Sequence, residues 1–138
     1  MKRAAAAPES YTPRVSELDE ARKRFLEYEP RDLFYRVASE LIELALTDKT
    51  SITVAEALAV LLQTWNAPYY QFCPFTVQHF AHIEALLQKH LDDALRFRSR
   101  GIESVSESDL PIVERLFNVF EQVLGPVGAA KSLHLLAL

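Results

Sequence analysis

The stretch Thr53-Val-Ala-Glu-Ala-Leu-Ala-Val-Leu-Leu-Gln-Thr-Trp65 decides the class of this fold. Thr53 followed three residues later by Glu56 is a capping box: the threonine oxygen accepts a free amide of the first turn, and the glutamate accepts the amide of the cap residue. Behind it Val54, Ala57, Leu58, Leu61, Leu62 and Trp65 recur at the 3.6-residue period of a helix. Asn66 and Pro68 end the run, since proline removes an amide and disfavours helix in the residue before it.

The same grammar extends in both directions. Upstream, Pro30 opens a helix over 30–47, with Leu33, Phe34, Val37, Leu41, Leu44 and Ala45 on one face and Ile42 and Leu46 widening it. So apolar a helix is expected to be central. Before it, a helix over 15–28 starts with Glu17, Asp19 and Glu20, where the dipole favours anions. Its inner stripe is expected to be Val15, Leu18, the stem of Arg22, Phe25 and Leu26, with the charges of Arg22-Lys23-Arg24 on a solvated face. Residues 1–13 carry two prolines and no apolar period, and are expected to form a flexible arm.

Downstream, Asn66–Phe75 reads as an aromatic, proline-punctuated loop. Thr76 caps a long helix over 77–99, which Gly101 stops, and a polar linker occupies 104–108. Ser108 caps a helix over 109–124, with Val113, Leu116, Phe117, Phe120, Val123 and Leu124 facing inward, and a terminal helix runs from Val127. No strict alternation and no Asn-Gly or Asp-Gly hairpin marks a strand. The expected fold is therefore all-α. Residues 14–138 should form a single-domain helical bundle of five substantial helices plus a short C-terminal one, in orthogonal or irregular packing.

Composition narrows the function. The chain has 138 residues, a net charge of −4 and one cysteine. The mild acidity argues against non-specific nucleic-acid binding over the whole surface. A lone cysteine excludes an intrachain disulfide. Lys2-Arg3 and the four alanines after them are too short for a leader, and no apolar run is long enough for a membrane helix. A cytoplasmic protein with no membrane partner is expected. His79 and His82 could share a helix face, yet nothing in sequence completes a metal site, and no cofactor is expected. Nucleophile triads, paired carboxylates and phosphate-cradling glycine loops are absent, so no catalytic residue is assigned.

The C-terminal stretch Leu124-Gly-Pro-Val-Gly-Ala-Ala-Lys131 is the most specific motif. Two helices joined by a glycine turn, with a lysine shortly after it, resemble the helix-hairpin-helix element of the DNA glycosylase superfamily. The segment is also similar to a Gly-Pro-Val-Gly run in uncharacterised bacterial proteins. The resemblance implies backbone amides of Gly125, Val127 and Gly128 on a DNA phosphate, with Lys131 supplying charge. It also implies a catalytic aspartate well downstream, whereas the sequence stops seven residues past Lys131. The expectation is thus a non-catalytic DNA-binding module. Arg96, Arg98 and Arg100 are candidates for further phosphate contact, or for stabilising a helix C-terminus. Trp65, Tyr69, Tyr70 and Phe72 are candidates for lining a pocket, or for plugging the gap between two helices. The alternative function is a protein-protein interaction or self-association module, a homo-oligomer among its forms. In it Leu133, Leu135, Leu136 and Leu138 of the C-terminal helix dock on a partner.

Overall fold

The computed structural model describes residues 12–28 and 31–137, so most of the N-terminal arm, the Pro30 helix start and Leu138 lie outside the described residues. The fold is all-α, with no strand among the described residues. In chain order the helices are α1 (Val15–Tyr28), α2 (Arg31–Leu46), α3 (Val54–Trp65), α4 (Ala67–Phe72), α5 (Val77–Leu95) and α6 (Leu110–Ala137). Two short 3-10 turns, Ile102–Ser104 and Glu107–Asp109, join α5 to α6. The chain forms two compact units, Met1–Asp32 and Leu33–Leu138.

The larger unit is built around α3. Its capping box is formed: the Glu56 amide donates to Thr53 Oγ1 at 3.1 Å, and the Thr53 amide donates to Glu56 Oε2 at 2.7 Å. With its start fixed, α3 buries Ala55, Ala57, Leu58, Leu61 and Leu62. The helix α5, capped by Thr76 Oγ1 on the His79 amide, packs along α6 and against α3 through Ile83, Leu86, Leu87 and Ala94. From α6 the core receives Leu116, Phe120, Leu124, Ala129, Leu135 and Leu136. Fully burying one such side chain stabilises the fold by ~1.5–3 kcal/mol.

Several boundaries differ from the sequence expectation. The long helix stops at Leu95 rather than 99, because the amides of Phe97 and Arg98 turn back to the carbonyls of Ala94 and Leu95. That tightening drops Phe97 into the core and leaves Ser99 at φ 66°. The aromatic loop contains the short helix α4, with Pro68 in its first turn. The fifth and terminal helices run on as α6, interrupted at Gly125 (φ 70°, ψ 168°). The 3-10 turn Glu107–Asp109 that leads into α6 is capped by Ser106, whose amide and hydroxyl both donate to Asp109 Oδ2 at 2.9 Å.

The largest correction concerns which face of α2 is inside. Leu33, Phe34, Val37 and Leu44, expected inward, are exposed, whereas Ile42, expected to widen the inner face, is fully buried together with Ala38, and Leu41 and Leu46 pack against the core. Ala38 and Ile42 each follow Val37 and Leu41 by one residue, so the buried line is turned ~100° from the expected one. A helix apolar round most of its circumference has no unique inward side in its periodicity. Packing against the rest of the core settled which side is covered, and Ala38 and Ile42 lie on it. Similarly, Val113 of α6 is exposed, as are Val15, Leu18, Phe25 and Leu26 of α1. Within its own unit α1 buries no residue.

Candidate functional site

The Gly125 break is a matter of fit on both sides. At φ 70° the backbone takes a left-handed conformation that an L side chain adopts only with strain. A Cβ there would also stand 3.1 Å from the Tyr69 ring of α4. Gly128 is buried, and a Cβ on it would lie 2.9 Å from Leu124 Cβ and 3.6 Å from Leu62 Cδ2. The two glycines thus kink α6 and let its second arm lie close to the end of α3. Between them, Pro126 and Val127 face solvent.

Lys131, one turn on, is turned toward α3. Its Nζ donates to the Trp65 carbonyl oxygen at 2.5 Å and lies 4.7 Å from the centre of the indole ring. The last carbonyls of a helix have no intrahelical partner, and a cation favours that negative end of the dipole. Lys131 therefore serves as a C-terminal cap for α3 supplied by α6.

The three arginines after α5 take three separate partners. Arg98, largely buried, donates through Nη1 to the carbonyls of Leu135 (3.0 Å) and Leu136 (2.9 Å) and through Nη2 to Glu43. One guanidinium so ties the end of α5, the last turn of α6 and the polar side of α2. Arg100 pairs with Asp109 at 2.9 Å, donates to the Ser104 carbonyl at 2.6 Å and lies over the Phe97 ring. The Arg100 guanidinium, followed by the Ser106 amide and hydroxyl, holds the Asp109 carboxyl well below the usual carboxylate range. Arg96 is exposed, 3.8 Å from Asp93. The helix end that Arg98 caps belongs to α6, and Arg100 braces the turn before it.

The aromatic residues divide in the same way. Trp65 stacks edge-on with Tyr35 at 5.4 Å, and Tyr69, Tyr70, Phe75 and His79 form a chain of ring contacts 5.1–5.5 Å apart. The Tyr70 hydroxyl and His79 Nε2 share a hydrogen bond of 3.0 Å. Burial, with Tyr69 and Cys73 nearby, pushes the Tyr70 phenol up to about 12. Burial and the neighbouring His82 push His79 down from its ordinary value. These rings plug the turn between α3 and α5. Phe72 is outside the cluster, 85% exposed.

Leu135 and Leu136 are buried in the chain's own core and Leu133 packs against it, while Leu138 lies outside the described residues. Among the exposed apolar side chains of the larger unit, Leu33, Phe34, Val37 and Leu44 share α2, where Leu41 is half-buried. The sequence reading missed this surface, although the signal was present in the width of the apolar side of 33–46, which exceeds what one core contact covers. A groove of about 290 Å³ between α5 and α6 is lined by His82, Leu86, Lys89, His90, Val119 and Gln122, among others. No cluster of three metal-ligating side chains occurs among the described residues, and no helix among them is long and apolar enough to cross a membrane. No family model, curated protein or solved structure matches the chain.

Proposed function

We propose that this chain is a protein-protein interaction module whose docking face is the outward side of α2. The observation that carries the reading is the line Leu33, Phe34, Val37 and Leu44, each at least 37% exposed on a helix whose other apolar side is already in the core. Contiguous apolar patches of this kind mark interaction sites on proteins that otherwise cover them. Each side chain newly buried there adds up to ~1.5–3 kcal/mol to association before the cost of ordering. The partner surface is thus moved from the C-terminal helix to α2.

Phosphate binding has less support in this geometry. Affinity for a nucleic-acid backbone comes from cations that neutralise phosphates. Here Lys131 caps α3, while Arg98 and Arg100 hold α6 and the turn before it. A photo-crosslinking residue at Val37, compared with one at the exposed Gln88 of α5, tests the reading in cells that express the protein. An adduct specific to position 37 is the expected result. Equal labelling at both positions, or none, would remove the docking face.

A further inference from the structure

Apart from the α2 face, the geometry points to a small-molecule site: the groove between α5 and α6 takes a small aliphatic carboxylic acid, its tail along the apolar floor and its carboxylate at Lys89. The two helices run antiparallel there, as Asp93 near the end of α5 pairs with Arg115 near the start of α6 at 2.6 Å. Between them lies a furrow of about 290 Å³, close to the lower end of the range for small-molecule pockets. Its shape comes from Ala85. His82, Ala85 and Lys89 are three and four residues apart, so they form one ridge of α5. The short alanine leaves a gap in that ridge, faced by Val119 and Val123 of α6, with the buried Leu86 beneath. Ala85 itself is exposed, so the gap opens to solvent. From His82 to His90 the floor runs ~12 Å at ~1.5 Å per residue, about the extended length of an eight-carbon acid.

The charge around the gap selects the head of the ligand. The polar side chains lining the groove are Lys89, His82, His90 and Gln122, and none of the described residues lining it is acidic. Lys89 is exposed and joins no ion pair among the described residues. The acids close by in sequence are turned away or engaged. Glu84 and Glu121 stand two residues from Leu86 and Val119, ~200° around their helices. Asp93, one turn past Lys89, is held by Arg115 and, at 3.8 Å, by Arg96. An unpaired ammonium at one end of an apolar furrow, with imidazole and amide donors beside it, complements one negative charge on an aliphatic body. Arg115 is already committed to Asp93, which favours a singly charged head over a phosphate.

The test is a titration of the full ¹⁵N-labelled chain with octanoate below its micellar range, followed through the amide chemical shifts. Saturable shifts confined to 82–90 and 119–123 are the expected result. Ala85→Phe fills the gap and is expected to abolish them with helical circular dichroism unchanged, since position 85 faces solvent. Lys89→Gln is expected to weaken octanoate about two- to fivefold, the range for an exposed ion pair, and to leave octanol unchanged. Hexanoate should bind more weakly than octanoate, by up to about fourfold per methylene lost. No saturable shift at millimolar octanoate, or shifts spread equally over 33–44, overturns the site. Octanol binding as tightly as octanoate, or Lys89→Gln binding octanoate as tightly as the wild type, overturns the carboxylate as its ligand. If Ala85→Phe fails to fold, the Lys89→Gln and hexanoate comparisons still decide. None of these results depends on the crosslink from position 37, so this site and the α2 face stand or fall separately.

Discussion

Lys131 closes the C-terminal end of α3 from 66 residues away: its Nζ donates to the Trp65 carbonyl oxygen at 2.5 Å and sits 4.7 Å from the centre of the Trp65 indole. A charged donor on a half-buried carbonyl is worth ~1.5–3 kcal/mol, and a cation over an indole about 0.5–1 kcal/mol more at a partly exposed site. Lys131→Met keeps the apolar stem and removes the charge. Urea denaturation of this variant is expected to show a loss of ~1–3 kcal/mol. A change below a few tenths would mean that Lys131 does not hold the helix end.

Gly125→Ala probes the break in α6. The new side chain meets a strained φ and the Tyr69 ring at 3.1 Å. The left-handed conformation alone costs ~1–2 kcal/mol. Thermal unfolding of the variant should move down accordingly, and Tyr69→Leu in the same chain should recover only the part due to the ring.

Ser132 is fully buried and its hydroxyl has no hydrogen-bond partner among the described residues. An unpaired buried polar group costs ~1–3 kcal/mol, and alanine is the better helix former of the two. Ser132→Ala is expected to leave stability unchanged or to raise it. A clear loss in chemical denaturation would show that the hydroxyl is satisfied.

Acid stability should depend on Asp109. Its carboxyl is held below the usual range by Arg100 first and Ser106 second. A lowered folded-state value means that the stabilisation is complete above the ordinary carboxylate pKa of ~3.9 and is lost as the pH falls below it. Asp109→Asn should be less stable at neutral pH and show a shallower decline of stability in acid. Parallel curves for the two proteins would contradict the assignment.

Alkaline stability should depend on Tyr70, whose phenol is raised to about 12 by burial and by its neighbours Tyr69 and Cys73. A raised value means that the stabilisation is present below the ordinary tyrosine pKa of ~10 and disappears as the pH rises from there through the folded-state value. In a spectroscopic titration of the phenols, the latest step should vanish in Tyr70→Phe. If that step persists, another tyrosine carries it.

The outcome at 125–131 shows what the candidate site owed to sequence. Gly125, Gly128 and Lys131 were visible as a motif because helix punctuation is local: a glycine with a proline after it ends one helix and lets another begin. Their use was not visible. Gly128 answers to Leu62 and Asn66, and Lys131 to Trp65, partners that only packing brings near. The arginines after α5 behave alike. Their position near a helix end was legible, but Arg98 reaches carbonyls 37 and 38 residues on. The surface of α2 was the reverse case: Leu33, Phe34, Val37 and Leu44 were marked as apolar and assigned inward, where only Ile42, Leu41 and Leu46 of that set meet the core.

What was written locally was therefore the class of fold, the order of the long helices and several of their starts. Thr53 with Glu56 and Thr76 with the His79 amide act within four residues, so short-range hydrogen bonding and the 3.6-residue period suffice to reveal them. Three matters needed the assembled chain: which side of α2 is covered, where the C-terminal leucines lie, and which carbonyls the basic side chains hold. Burial depends on the surface each neighbour offers, and a carbonyl left over at one helix end is met by whichever cation the packing of another helix delivers. No period along the chain encodes either.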